Sequence, residues 1–230
     1  MPTHTTLVWD LPTRLFHWLL AGAVAGAVIT AKIGGNAMLW HGRLGLFIVG
    51  LLGFRLVWGV LGSHTARFAR FVRGPAAIRA YLRGHWHGIG HNPLGALSVV
   101  AMLLVLCAQA ASGLVANDDI AFNGPLYAAV SKELSDALTG WHRRGEWAVL
   151  ILIGLHLAAV LFYTVVKKEP LLRPMLTGRK PVARPQPATE RGGVRALILA
   201  LAAAGALVWL ANGGLLPPPP PPAALDTPAW

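Results

Sequence analysis

The chain has 230 residues, of which 55% are hydrophobic and only 13% charged, and its mean hydropathy is +0.55. This apolar content exceeds the roughly 45–50% that is typical of soluble domains. The sequence therefore predicts an all-α integral membrane protein rather than a soluble enzyme. The net charge of +11 does not require nucleic acid as a partner, because membrane topology accounts for the distribution of the basic residues.

Five apolar stretches are long enough to span a bilayer core of about 30 Å, which needs about 20 helical residues each. They cover residues 14–33, 39–60, 94–115, 144–166 and 194–212. We interpret 1–170 as one bundle of four transmembrane helices, 171–193 as an extended basic proline-rich linker, 194–212 as a fifth anchoring helix, and 213–230 as a proline-rich external tail. The segment before the first stretch lacks the features of a cleavable signal peptide, so we expect the first helix to be retained.

Lysine and arginine are distributed unequally between the loops. Fourteen fall on the side that holds the N-terminus, the 61–93 loop and the 167–195 segment, whereas five fall on the opposite side. The positive-inside rule places the more basic side in the cytoplasm. We thus expect a multi-pass membrane protein with a cytoplasmic N-terminus. The 61–93 loop alternates arginines with apolar residues, a pattern that favours a helix lying on anionic lipid.

Four histidines lie within or at the ends of the predicted helices. His17 follows the start of the first helix, His41 opens the second, and His142 and His156 lie on the fourth. His142 and His156 are fourteen residues apart, or about 3.9 helical turns, so they share a helix face. Ionisable groups inside a membrane are costly and are read as functional by default, the alternative being a hydrogen bond to a neighbouring helix.

Depth arranges these histidines as two pairs. His41 and His142 belong to the outer level, and His17 and His156 to the inner half. The arrangement is the one that bis-imidazole ligation of two irons in a bundle core requires. Counted from the basic residues at the helix ends, the depths of His17 and His156 in the membrane differ by about 12 Å.

The histidines of the 61–93 loop could either bind a metal ion or be solvated. His85, His87 and His91 have a spacing that a metal ion could use, but neither a cysteine nor an acidic ligand is near, which favours solvated side chains. The only cysteine, Cys107, lies mid-helix, and no Cys-x-x-Cys-His occurs, so covalent haem attachment is not expected.

Several separated motifs resemble the bacterial cytochrome b561 family, which includes the b-type cytochrome subunits of nickel–iron hydrogenases. They are VWDLPTRLFHW, WHGRLGLFIVGLLGFRLVWG, ARFARF, GHNPLGALS and WHRRGEW followed by GLHLAAV, and they cover roughly residues 7–170. The resemblance implies a four-helix bundle with two b-type haems, ligated by His41 with His142 and by His17 with His156. The resemblance does not extend over 171–230. Because the family pattern lacks this fifth helix, the resemblance does not decide which redox partner the protein has.

The resemblance implies electron transfer across the bilayer between a partner redox protein and the quinone pool. The partner could be a hydrogenase, another periplasmic dehydrogenase or a c-type cytochrome, with the outer segment 116–140 as the candidate docking element. The alternatives are a stand-alone quinone-linked oxidoreductase, such as a superoxide oxidase, and a haem-free transporter or assembly protein.

Haem propionates need compensating positive charge in a low-dielectric setting. Arg43, Arg143 and Arg144 are the candidates for the outer haem, and Arg14 and Arg55 for the inner one; snorkelling to lipid headgroups is the alternative for the last two.

A quinone is expected beside the inner haem. The candidate residues there are His17, Arg55, Trp58, His91 and Asn92, which offer hydrogen-bond donors and an aromatic face. The competing interpretation makes Trp58 an interfacial belt residue and Asn92 the start of the third helix.

Overall fold

A computed structural model describes residues 4–86, 88, 90–182 and 190–217. Its five long apolar helices are each able to cross a membrane by length and composition. The helices are α1 (Leu11–Ile33), α2 (Met38–Leu61), α3 (Phe68–Phe71), α4 (Pro75–Leu82), α5 (Pro93–Leu114), α6 (Lys132–Val165), α7 (Leu172–Thr177) and α8 (Val194–Ala211), and the strands are β1 (His4–Leu7) and β2 (Arg179–Val182). The five long apolar helices are α1, α2, α5, α6 and α8. The expected all-α membrane bundle is confirmed.

Side-chain caps fix where three of the long helices begin. Asp10 accepts a hydrogen bond from the Thr13 backbone N–H at the start of α1, and Asn92 accepts one from Gly95 at the start of α5. Each cap is followed closely by a proline, which loses no helical hydrogen bond in the first turn. Ser131 caps α6 in the same way.

Helix α2 lies at the centre of the bundle, in contact with α1, α5 and α8, while α6 packs against α5. None of the extensive backbone contacts within the described chain joins α1 to α6. The two helices instead face each other through side chains, among them those of His17 and His156.

Helix α6 begins at Lys132, twelve residues before the start expected from hydropathy. Its 34 residues span about 51 Å, well beyond a bilayer core of about 30 Å. Its first turns form part of an outer cap, which comprises residues 115–141. In the cap, Asn117 donates to Ser135 and Asp136 and its backbone N–H donates to Thr139. The hydropathy pattern predicts only the apolar part of α6. The helix extends beyond it because these polar side chains are hydrogen-bonded to one another.

The segment after α6 differs from the extended linker expected for 171–193. Its first part forms α7 and β2, and β2 pairs antiparallel with β1. Gly178 ends α7 at φ +79°, and its carbonyl accepts from the N–H groups of Val8 and Trp9. The N-terminal strand supplies the partner backbone that makes this segment ordered. The later prolines of the linker, Pro185 and Pro187, and most of the tail lie outside the described residues.

Candidate functional site

The outer pair consists of His41 on α2 and His142 on α6. Their ring centres are 5.9 Å apart and the rings are nearly perpendicular, at 84°. The structure thus brings together two histidines that are separated by about a hundred residues in sequence.

Backbone carbonyls fix the tautomer of both outer histidines. His41 Nδ1 lies 2.9 Å from the carbonyl oxygen of Ala27, and His142 Nδ1 lies 2.9 Å from that of Gln109. A carbonyl oxygen can only accept, so each Nδ1 carries the proton and donates it. The Nε2 atom of each ring then has a free lone pair, as a metal ligand requires.

Small residues surround the His142 ring. A Cβ atom added at Gly113 would lie 2.8 Å from His142 Cε1, so the ring occupies the space that a side chain would need. The Ser112 hydroxyl lies 3.3 Å from His142 Nδ1. On α2, Gly45 is one turn from His41, and a Cβ added there would meet no atom within 4 Å. Gln109 and Ser112 of α5 thus orient a candidate ligand on α6.

The inner pair consists of His17 on α1 and His156 on α6. Their ring centres are 6.3 Å apart at an interplanar angle of 51°. The nominal depth mismatch between them is therefore absorbed by the lengths of the two helices. His17 Nδ1 is buried and has no hydrogen-bond partner among the described residues. A buried nitrogen without a partner is the kind of group that a metal ion satisfies.

Both separations fit two axial imidazoles on one iron. A metal–imidazole bond is about 2 Å long and the ring centre lies about 1 Å beyond the nitrogen, so opposed ligand rings have centres about 6 Å apart. Within the described ranges, no cluster of three or more histidine, cysteine, aspartate or glutamate side chains could hold a metal ion. Paired ligands thus fit the observed histidines better than a bare metal site does.

Arg55 is the most buried of the arginines proposed for propionates, with 3% of its surface exposed. Its guanidinium donates to the Ala66 carbonyl at 3.0 Å and lies over three phenylalanine rings, the nearest being Phe68 at 4.9 Å. The other two rings are those of Phe16 and Phe71. Arg55 therefore does not snorkel to the lipid headgroups, because an aromatic cage holds it inside the protein.

The remaining candidate arginines are more accessible. Arg14 donates to the Leu176 carbonyl, which ties α1 to α7. Arg43 is exposed and its guanidinium lies over the Trp40 ring at 4.9 Å. Arg143 and Arg144 are exposed. Arg14 and Arg43 thus contact other groups of the protein, whereas the side chains of Arg143 and Arg144 are exposed.

Of the residues considered for a quinone, Arg55 and His91 lie together beside the Phe71 ring, whereas the others have different surroundings. Trp58 is 1% exposed and stacks on Phe54, so it offers no free face to a ligand and is not an interfacial belt residue either. Asn92 caps α5, as the competing interpretation held, and its amide donates to the Tyr81 hydroxyl at 3.3 Å. His17 belongs to the inner histidine pair.

His91 is packed between aromatic rings rather than solvated. Its ring centre lies 4.5 Å from that of Trp9 and 4.7 Å from that of Phe71. Burial and the neighbouring Arg55 guanidinium lower the pKa of His91 to about 3. The imidazole is consequently neutral at physiological pH. His87, part of the spacing considered for a metal ion, lies outside the described residues.

One charged pair was missed from sequence. Glu146, one turn beyond His142, forms an ion pair with Lys32 at 2.6 Å and so links α6 to the end of α1. The signal was available, because an acidic residue within an apolar membrane helix is itself unusual. Its partner could not be identified without the fold.

An all-α membrane bundle that presents facing histidine pairs defines the class of membrane cytochromes that bind haem noncovalently. The family model of the prokaryotic cytochrome b561 matches residues 8–178, and the chain belongs to that family. It is accordingly a multi-pass membrane protein of electron transport, and membership implies haem b.

Curated relatives carry a more specific name. The chain is 25% identical over 214 residues to a probable Ni/Fe-hydrogenase B-type cytochrome subunit of Azotobacter vinelandii, with 74% of this chain and 86% of the relative covered. It is 23% identical over 215 residues to the protein of the same name from Cupriavidus necator, with 75% and 86% covered. No solved structure shows a significant match.

Proposed function

We propose that the chain is a dihaem cytochrome b that carries electrons across the inner membrane between a periplasmic hydrogenase and the quinone pool. The observation that supports two haems is the pair of histidine pairs, with ring centres 5.9 and 6.3 Å apart. His41 and His142 hold the outer haem, and His17 and His156 the inner one. The names of the relatives support a hydrogenase as the partner.

Bound haem b supplies one-electron redox chemistry, and the chain supplies its ligands, its orientation and its electrostatic environment. The Ala27 and Gln109 carbonyls hold the outer imidazoles with Nε2 available. Buried positive charge at Arg55 offsets negative charge on the inner side, and Arg143 and Arg144 do the same on the outer side. The outer cap lies at the end of the molecule where a periplasmic partner would dock.

Haem quantification tests the proposal directly. We expect two low-spin b haems per purified chain, one in His142→Ala and one in His156→Ala, with two retained in the loop variant His64→Ala. A single haem per wild-type chain would overturn the dihaem assignment.

Co-purification tests the partner. Affinity-tagged protein expressed in its native host should retain a nickel–iron hydrogenase after mild solubilisation. A different dehydrogenase or a c-type cytochrome in its place would reassign the donor, and steady turnover of the isolated chain with superoxide and quinone would make it an enzyme in its own right.

A further inference from the structure

Three polar side chains meet where α4, the start of α5 and the end of α6 come together. The hydroxyls of Tyr81 and Tyr163 are hydrogen-bonded to each other, and the Asn92 amide donates to Tyr81 at 3.3 Å. Neither tyrosine was singled out from the sequence, because they lie 82 residues apart and no motif joins them. We call Tyr81, Asn92 and Tyr163 the phenol cluster.

The phenol cluster lies on the side of α6 that holds the inner histidine. Tyr163 follows His156 by seven residues, which is close to two full turns and about 10 Å along the axis. The two side chains therefore share one face of α6, with Tyr163 nearer the more basic end of the molecule. A ligand at the cluster would be next to the inner histidine pair.

The cluster is accessible both to the membrane and to the aqueous phase. All three side chains are partly exposed, and Tyr163 contacts Phe162, a half-exposed ring on the same helix. On the aqueous side, Glu169 lies close to Tyr81, and its backbone N–H donates to the Tyr163 carbonyl at 2.9 Å. Lys180 forms an ion pair with Glu169 at 3.5 Å. A membrane-soluble ligand could thus reach the phenols while protons enter from water.

We propose that the phenol cluster binds the quinone headgroup and exchanges protons with it. The inference rests on the proposed function, which supplies the quinone. The carbonyl oxygens of a para-quinone accept hydrogen bonds, and the phenol O–H and amide N–H groups of the cluster are matching donors for one of them. The cluster replaces the set considered from sequence, of which only Asn92 belongs to it.

The chemistry balances as a two-electron reduction. Quinone gains two electrons, which the outer redox partner of the proposed function supplies, and two protons, so that each carbonyl becomes a hydroxyl. One proton passes from the hydrogen-bonded phenol pair to the quinone oxygen that it contacts, and the phenol regains a proton from cytoplasmic water. The opposite quinone oxygen takes its proton from water. Burial, the bond to Tyr163 and the charge of Glu169 raise the pKa of Tyr81, so the phenol keeps its proton at rest and can donate a hydrogen bond. Quinol oxidation is the same sequence in reverse.

The three tyrosines of the chain provide a matched test. Tyr81→Phe and Tyr163→Phe remove one hydroxyl each and keep the ring, and Tyr127→Phe makes the same change in the outer cap. Full-length protein in nanodiscs is reduced with a short-chain ubiquinol. The haem content and the spectrum of the fully reduced protein are measured with dithionite. We expect unchanged dithionite spectra in all three, and quinol-driven haem reduction slowed about tenfold in Tyr81→Phe and Tyr163→Phe alone, consistent with the loss of one hydrogen bond and of a proton path.

Binding supplies a readout independent of turnover. The dissociation constant of a short-chain ubiquinone should rise about tenfold in the two inner variants and not in Tyr127→Phe. A photoreactive quinone on wild-type protein should label peptides that contain residue 81 or residue 163. Wild-type binding and rates in both inner variants, or labelling confined to other segments, would overturn the proposal. Absence of any quinol-driven reduction in the wild type would instead contradict the proposed function.

Discussion

The histidine pairs depend on residues that have no redox chemistry of their own. Backbone carbonyls of Ala27 and Gln109 hold His41 and His142, and Gly113 leaves room for the His142 ring. The absence of a side chain at Gly113 is thus what gives the His142 ring its space.

We therefore predict that Gly113→Ala disrupts the outer site. The added methyl group would lie 2.8 Å from His142 Cε1, closer than Cβ atoms approach other atoms, so the ring must move. The haem content should fall from two toward one per chain, measured as the pyridine haemochrome. Gly140→Ala, on α6 with open space around it, is the control and should retain both haems. Full occupancy in Gly113→Ala would show that the ring tolerates the shift.

Burial distinguishes the arginines at the residue scale. Arg55 is enclosed by phenylalanine rings, whereas Arg143 is exposed, and water and salt screen an exposed charge. From sequence, Arg143 was a candidate for the outer haem and Arg55 for the inner one, and the structure separates them by burial.

We predict that Arg55→Met lowers the midpoint potential of the inner haem. Loss of a buried positive charge disfavours the added electron, by tens of millivolts if the charge lies about 10–15 Å away at an effective dielectric constant of ~20. Arg55→Lys keeps the charge and should shift the potential less, and Arg143→Gln should shift neither haem by as much. Redox titration of the α-band measures all three. Equal potentials in Arg55→Met and wild type would contradict an electrostatic role for Arg55.

At the scale of elements, α8 is part of the bundle and not a loosely attached anchor. Its Ala200 is fully buried, and Val208 and Leu207 lie against Gly50 and Gly53 of α2. Small residues permit this close approach, which drives helix association in membranes where the hydrophobic effect is weak.

We predict that Gly53→Val separates α8 from α2 and destabilises the protein. The new side chain would meet Leu207 Cδ2 at 2.9 Å, and overpacking of this kind costs about 1–3 kcal/mol. The temperature at which the haem absorbance is lost should fall. Gly205→Val, at an open position on α8, is the matched control. Equal melting temperatures in the two variants would mean that α8 adjusts without cost.

For the whole molecule, the pairing of β1 with β2 joins the N-terminus to the segment after α6 on one side. That side also holds α3 and α4 and the excess of arginine and lysine. The outer cap, with Ile120 92% exposed at its tip, lies at the other end. Backbone N–H groups of Phe122, Ile120 and Ala121 lower the pKa of Asp118, so the carboxylate that shapes this tip stays charged.

We predict opposite labelling of two introduced cysteines. Because Cys107 is the only native cysteine and lies mid-helix, Ile120→Cys and Arg83→Cys each add a single surface thiol. A membrane-impermeant maleimide should label Ile120→Cys in intact spheroplasts and Arg83→Cys only after lysis, as a cytoplasmic N-terminus requires. Unmodified protein should stay unlabelled in both conditions. The reverse labelling would invert the topology and place the phenol cluster outside.

The sequence by itself determined the membrane-spanning helices and the family, because a bilayer imposes a length and an apolar composition that can be read locally. Helical periodicity and depth also predicted the pairing of His41 with His142 and of His17 with His156, although counting along the chain left a depth mismatch in the inner pair that only the fold removed. Tertiary structure decided what depends on the packing of distant segments. It enclosed Arg55, buried Trp58, packed α8 on α2, joined Lys32 to Glu146, and brought Tyr81 to Tyr163. Those contacts join residues tens to over a hundred positions apart, and no local pattern records which distant side chain will occupy the space that a glycine leaves open.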